Sequence, residues 1–246
     1  MTGARLEGGG LVALVTGGGI ASLASESLEL VQHAASPFEP GLLQVWVRDR
    51  GSGACWAVLG AGSGSQVRVA DDALVVDGGA GTLRWRVTFV LHPERTAWAW
   101  HVEVTNDGDA PREIDVVHAH DVALADPRVL RANELYVSQY LDVSALEVPT
   151  GTALAVRQNE PQGGRHPWCV LAADRDVVAW ATDALSVHGL SGRRDEPIGP
   201  RGDLPARRLQ HEHTLAALQV APATLGPAEE LRVTFAGLLV ADHPSA

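Results

Sequence analysis

The sequence predicts an all-β protein, a large antiparallel sandwich of two sheets with little helix. Three observations predict it. Many short segments alternate apolar and polar residues with a period of two, as half-buried strands do. Turn-forming residues, 26 Gly and 14 Pro among 246 residues, punctuate these segments at short intervals. Convincing helical periodicity is scarce. Apolar residues make up 46% of the chain, ample for a core, and the strands outnumber those of an immunoglobulin-type sandwich. No Pro- and Ser-rich linker and no fixed-period repeat divides the chain, so residues 1–246 read as a single domain.

The elements follow in order. "LVALVTGGGIASL" (11–23) predicts a hairpin turning across Gly17–Gly19. "GSGACW" (51–56) and "GAGSGS" (60–65) are glycine-rich, but no helix follows either. They are strand connections rather than phosphate cradles. "TLRWRVTFV" (82–90) sets Leu83, Trp85, Val87 and Phe89 on one face and Arg84, Arg86 and Thr88 on the other. "TAWAWHVEV" (96–104) does the same with Trp98, Trp100, Val102 and Val104. The Asp-Gly pair in "TNDGDAP" predicts a hairpin into "REIDVVHAHDVAL" (112–124). A short helix is expected near 141–147. "TLAALQV" (214–220) and "ELRVTFAGLLV" (230–240) predict a final paired couple. The longest irregular stretch is 189–208, and loops of that length usually serve a function.

Composition excludes several classes. A formal charge of −11 repels phosphate backbones and argues against nucleic acid. No stretch approaches the ~20 consecutive apolar residues of a membrane span. The start "MTGARLEGGG" lacks the basic and apolar regions of a secretory signal, so a cytoplasmic location is expected. All 19 basic residues are Arg, which removes lysine nucleophile and Schiff-base chemistry and leaves guanidinium groups suited to oxyanions and rings. Cys55 and Cys169 read as reduced thiols. No cofactor fingerprint is present.

Two polar stretches stand out. "RANELYVSQYLDV" (131–143) holds both tyrosines of the chain, and "RQNEPQGGRHPWC" (157–169) follows it. Sugar recognition needs flat faces for the C–H side of a pyranose and amide, carboxylate or Arg groups for its hydroxyls. Tyr136, Tyr140 and Trp168, with Asn133, Gln139, Arg157, Gln158, Asn159, Arg165 and His166, supply that set. The alternative is that the tyrosines pack a loop on the sandwich while the arginines face water. Glu134, Glu160, Asp183 and Glu212 are carboxylates in site-like contexts, but no spacing singles out the pair that glycosidic hydrolysis requires. "HAHD" (118–121) and "HEH" (211–213) place His pairs on predicted strands. His118 and His120 share their face with Ile114, Val116 and Val122, which favours hydrogen-bonded core histidines over metal ligands, and no metal or cofactor is expected.

The order and spacing of "NELYVSQYLD", "AVRQNEPQGGRHPWCV", "WATDALSVHGLSGR", "LPARRLQHEHTLAALQV" and "FAGLLVADHPSA" resemble the N-terminal β-sandwich region of large bacterial glycoside phosphorylases. These belong to glycoside hydrolase family ninety-four, in the branch acting on β-1,2-linked glucans. "SPFEPGLLQVWVRDR" and "RWRVTFVLHPERTAWAWHVEVTN" extend the resemblance over nearly the whole chain. It implies a galactose mutarotase-like supersandwich, with catalysis on a separate (α/α) barrel absent from this chain. The expected role is then non-catalytic, and the partners are a β-glucan oligosaccharide or such a barrel. The same fold also admits a stand-alone aldose epimerase, for which His166 or His211 would act with Glu134 or Glu212.

Overall fold

The structure, a computed structural model, describes residues 3–60, 62–189, 202–209 and 213–243, with backbone alone for Glu134 and Leu135. Its strands form three antiparallel sheets. The five-stranded sheet runs β1 (Ala4–Gly8), β2 (Leu11–Thr16), β3 (Gly19–Ser25), β4 (Leu28–Val31) and β12 (Val122–Ala125). The six-stranded sheet orders β16 (Val177–Asp183), β17 (Thr214–Val220), β11 (Arg112–His120), β5 (Gln44–Asp49) and β6 (Ala54–Ala57), with β18 (Ala223–Leu225) also on β11. The eight-stranded sheet orders β13 (Leu141–Val148), β14 (Gly151–Gln158), β15 (Trp168–Ala173), β19 (Glu230–Val240), β10 (Ala97–Asn106), β9 (Leu83–Leu91), β8 (Ala73–Ala80) and β7 (Gln66–Ala70).

The sandwich architecture matches the sequence expectation. The eight-stranded sheet is one layer, and the six-stranded sheet faces it. Across the gap the His118 ring lies 6.0 Å from Trp100 and 5.1 Å from Phe235, and His120 lies 5.3 Å from Trp98. β11 runs through Asp121 into β12, so the five-stranded sheet continues the second layer. Its Leu6, Leu11, Val15 and Leu23 join the same core as Trp85, Phe89, Val102 and Val104. The alternation in β9 and β10 is realised, with Trp85, Phe89, Trp98 and Trp100 all buried.

Two expected pairings are corrected. The Asp-Gly turn after β10 does not close a hairpin, because β10 belongs to the eight-stranded sheet and β11 to the six-stranded one. The buried Asn106 side chain fixes this arch. Its Nδ2 donates to Ala110 O (2.9 Å) and Leu225 O (3.0 Å), while its Oδ1 accepts from Gly108 N (3.0 Å). Likewise β17 and β19 lie in different sheets rather than forming a pair. The hairpin across Gly17 and Gly18 is present, with Thr16 opposite Gly19.

The helix expected near 141–147 is strand β13 instead. The helices lie just before it, α1 (Pro127–Ala132) and α2 (Glu134–Gln139), with α3 (Ala184–His188) beyond β16. Tertiary pairing with β14 over eight residues overrides the local pattern.

The six-stranded sheet is buried on both faces. Trp46, Val117, Ala179, Leu215 and Ala217 form a second apolar cluster on its outer side, covered by Val187 of α3 and by Leu204. The described end of the long irregular stretch, residues 202–208, is thus a strap. Leu204 N donates to Gln219 Oε1 (3.0 Å), Asp203 pairs with Arg50 (2.6 Å), and Ala206 N donates to Trp180 O (3.0 Å). Beneath it Arg48 makes a two-pronged bond to the fully buried Asp115.

Candidate functional site

Local chemistry explains how the first polar stretch folds. Asp126 caps α1, with Pro127 in the first turn where its missing N–H costs nothing. Asn133 ends α1 and caps α2, its Oδ1 accepting from Tyr136 N (3.2 Å). Asn133 is therefore a structural residue. One helical turn then brings Tyr136 and Tyr140 together. Their hydroxyls are 2.9 Å apart and their rings 4.8 Å, and they remain 40% and 37% exposed. Tyr140, and more weakly the charge of Glu160, raise the Tyr136 phenol above its ordinary value. Ser138 points the other way and accepts from Thr214 N, which anchors α2 to the six-stranded sheet. Gln139 is exposed.

The second stretch meets the first. Leu141 pairs with Gln158 in the β13–β14 ladder, and Asn159 N donates to Tyr140 O (2.9 Å). Gln158 is fully buried and organises the junction: its Oε1 accepts from Glu160 N (3.0 Å), and its carbonyl meets His166 Nδ1 at 3.3 Å. Arg157 faces the opposite side of β14. It donates to Asn159 Oδ1 and, through Nε, to His243 O (2.8 Å). Trp168 sits directly opposite it in the ladder, its ring 5.3 Å from that of His243. Tyr136, Tyr140, Gln139 and Asn159 thus form one exposed edge, and Arg157 with Trp168 an adjoining outer face. Arg165 stands apart on the turn that Gly163 and Gly164 make at φ 58° and 82°.

Beside the tyrosine edge lies a cleft of about 350 Å³ between α1 and this turn, lined by Asp126, Arg128, Glu160 and Gln162 among others. Gln162 Oε1 accepts from Asp126 N (3.1 Å) and ties the two walls together. Arg128 pairs with Asp126 and holds that carboxyl below its usual range. Glu160 Oε2 is buried without a hydrogen-bond partner. Sequence reasoning missed Asp126 and Arg128. The Asp-Pro pair is a helix-start signal that carries no site chemistry of its own.

The other described acid–base candidates have structural partners. Asp183 caps α3 by accepting from Ser186 N (2.8 Å). His118 and His120 bond to Gln44 O (3.1 Å) and Leu30 O (3.0 Å). Burial pushes their imidazoles down to about 3 and about 4, as expected of neutral core histidines. His213 pairs with the buried Asp121, which also accepts from His33 N (2.6 Å). Sequence analysis did not single out Asp121 as its partner. His211 and Glu212 lie outside the described residues, as does the Glu134 side chain. Among the described residues no three His, Cys, Asp or Glu side chains are disposed to hold a metal. No described helix is long and apolar enough to cross a membrane.

Comparison with known proteins identifies the family. Residues 13–237 match the family described as SOGP N-terminal domain. The chain belongs to that family. A 1,2-β-oligoglucan phosphorylase from Listeria innocua serovar 6a is 29% identical over 204 residues, covering 82% of this chain and 18% of the relative. The chain therefore spans less than a fifth of that enzyme's length. Among solved structures, a bacterial glucoamylase complexed with acarbose superposes with TM-score 0.57 at 5% identity, over 96% of this chain and 31% of its own. A GalM/aldose epimerase homologue from C. elegans superposes with TM-score 0.52 at 10% identity, over 98% and 100%. These likenesses show the mutarotase-like sandwich fold of this SOGP N-terminal domain, and the family is the one its sequence motifs resemble.

Proposed function

We propose that this chain is an accessory, non-catalytic domain of a glycoside phosphorylase-type enzyme of β-glucan metabolism, engaging glucan through its tyrosine edge and a catalytic (α/α) barrel through its apolar surfaces. The family match over residues 13–237, set beside an oligoglucan phosphorylase of which the match covers only 18%, carries the reading. The chemistry agrees with it. General acid–base catalysis needs a titratable group within reach of the substrate, and four of the described candidates, Asp183, His118, His120 and His213, are instead tied into caps, core and a buried pair.

Two surfaces suit docking. Leu238, 42% exposed, sits between Val170 and Ala97 on the outer face of the eight-stranded sheet, beside Trp168 and Val240. Phe38, 88% exposed, projects from a loop held by three bonds around Ser36. A rigidly presented aromatic loses little freedom on burial, which favours it as an interface anchor.

Titration of the chain with β-1,2-linked gluco-oligosaccharides, followed by tryptophan emission against cello-oligosaccharides, tests the glucan arm. We expect saturable change with the β-1,2 series alone, weakened several-fold in Tyr140→Ala. A flat response to both series removes that arm. The epimerase-like superposition favours a second reading, an aldose 1-epimerase, by analogy of fold alone. Acceleration of glucose mutarotation by micromolar protein would establish it in place of the accessory role.

A further inference from the structure

We infer that the outer end of the second polar stretch is a latch for this chain's own backbone. Arg157, His166 and Trp168 hold residues 241–243 and so fix the direction in which the polypeptide leaves β19. What the latch does for a catalytic barrel rests on the accessory-domain reading above; the latch itself does not.

The β15–β19 ladder ends with Trp168 opposite Val240. Past a last ladder pair, strands commonly fray. Here they stay joined. His243 N donates to His166 O (2.8 Å), and Asp242 Oδ1 accepts from His166 N (2.9 Å). A third bond comes from the next strand across, where Arg157 Nε donates to His243 O (2.8 Å). Both backbone polar groups of His243 therefore have partners. On the other side of the same segment, Pro167 O accepts from Gln158 N (2.9 Å), and His166 Nδ1 lies 3.3 Å from Gln158 O. His166 is wedged between β14 and the departing backbone, which is tied to two strands rather than one.

The chemistry favours a backbone over a sugar as the occupant. A pyranose stacks on an open aromatic face. The His243 ring instead lies 5.3 Å from that of Trp168, tilted by 33°, with its Nδ1 buried. Arg157 commits Nε to His243 O and an Nη to Asn159 Oδ1. A guanidinium bond to a carbonyl is charge-assisted and stronger than a neutral one. His166 is engaged through its N–H, its carbonyl and its ring. The part of this stretch that looks suited to sugar is thus taken up by the chain itself, and glucan is left with the tyrosine edge. A segment tied at three points to a sheet leaves it on one heading. In the accessory-domain reading, that heading orients a barrel carried on the same polypeptide against the sandwich.

Amide hydrogen exchange of the 246-residue chain, read by NMR at His243, tests the latch. We expect this amide to exchange at least tenfold more slowly than a freely exposed one. Asp242→Ala and Arg157→Gln should each speed it roughly tenfold, with little change in melting because both lesions act beyond the last ladder pair. A β-1,2-linked glucose trisaccharide is titrated in parallel, and Asp242→Ala should leave its binding unaltered. An unprotected His243 amide in the unaltered chain overturns the latch, as does protection that neither substitution reduces. If Arg157→Gln weakens sugar binding while the amide stays protected, Arg157 belongs to a sugar site and the assignment fails. Absence of sugar binding by the unaltered chain removes the glucan arm of the proposed function and leaves the latch to be decided by exchange, which needs no ligand.

Discussion

At the scale of single residues, histidine shows how burial decides chemistry. His118 and His120 sit between the sheets against Trp98, Trp100 and Phe235, each with one bond to a backbone carbonyl. Desolvation, joined at His118 by the neighbouring His120, keeps them neutral in the fold down to about pH 3 and about pH 4. In the unfolded chain they protonate near the ordinary value of about 6.5. Between those limits the unfolded chain binds more protons, so their contribution is complete above about pH 6.5 and is lost as pH falls. The loss is roughly 1.4 kcal/mol per pH unit for each histidine. Thermal melting from pH 7 to pH 4 should show this decline. His118→Phe, which keeps a ring in the slot, should flatten the slope by about one proton. An unchanged slope would place the acid sensitivity elsewhere.

At the scale of elements, a strand's existence and its partner are separate questions. Alternation identified β9, β10 and β19 as strands because one face of each meets the core, whereas β11 and β17 are buried on both faces. It could not say which strands share a ladder. The Asp-Gly turn after β10 looks like a hairpin, yet the chain crosses there from one layer to the other. What redirects it is Asn106, whose amide gathers carbonyls from residues 110, 225 and 226, over a hundred positions apart. Asn106→Ala should leave those buried acceptors unsatisfied and lower stability by about 2–3 kcal/mol, read as a shifted urea midpoint at constant slope. A change below about 0.5 kcal/mol, the level of an ordinary surface substitution, would mean that the arch does not depend on the amide. Helix was misplaced for a related reason. "ELYVSQ" forms one only because Asn133 caps it and Ser138 docks it to Thr214.

At the scale of the whole molecule, the sandwich buries a continuous core drawn from all three sheets while leaving specific apolar groups in water. Phe38 is the extreme case. Its loop has no slack, since a Cβ on Gly18 would lie 2.0 Å from Ser36 O and one on Gly60 2.8 Å from Pro40. In this reading Phe38 belongs to an interface rather than to the fold. Phe38→Ser should leave the melting temperature within a degree or so. It should also weaken association with the catalytic part of a family phosphorylase by about tenfold or more, measured by sedimentation velocity. Undiminished association would strike Phe38 from the interface.

The sequence by itself determined the strand-rich class, the inward faces of β9 and β10, the absence of lysine chemistry and the family. Each of these is written locally, in period, composition or motif. It also located the two polar stretches. Only the tertiary structure decided that they meet, because Asn159 bonds to Tyr140 across a ladder register that no local signal specifies. The fold likewise buried Gln158, faced Trp168 away from the tyrosines, and brought Asp126 and Arg128 beside Glu160. Burial and juxtaposition are properties of the packed chain: a side chain's chemistry is set by what surrounds it, and its surroundings come from residues distant in sequence.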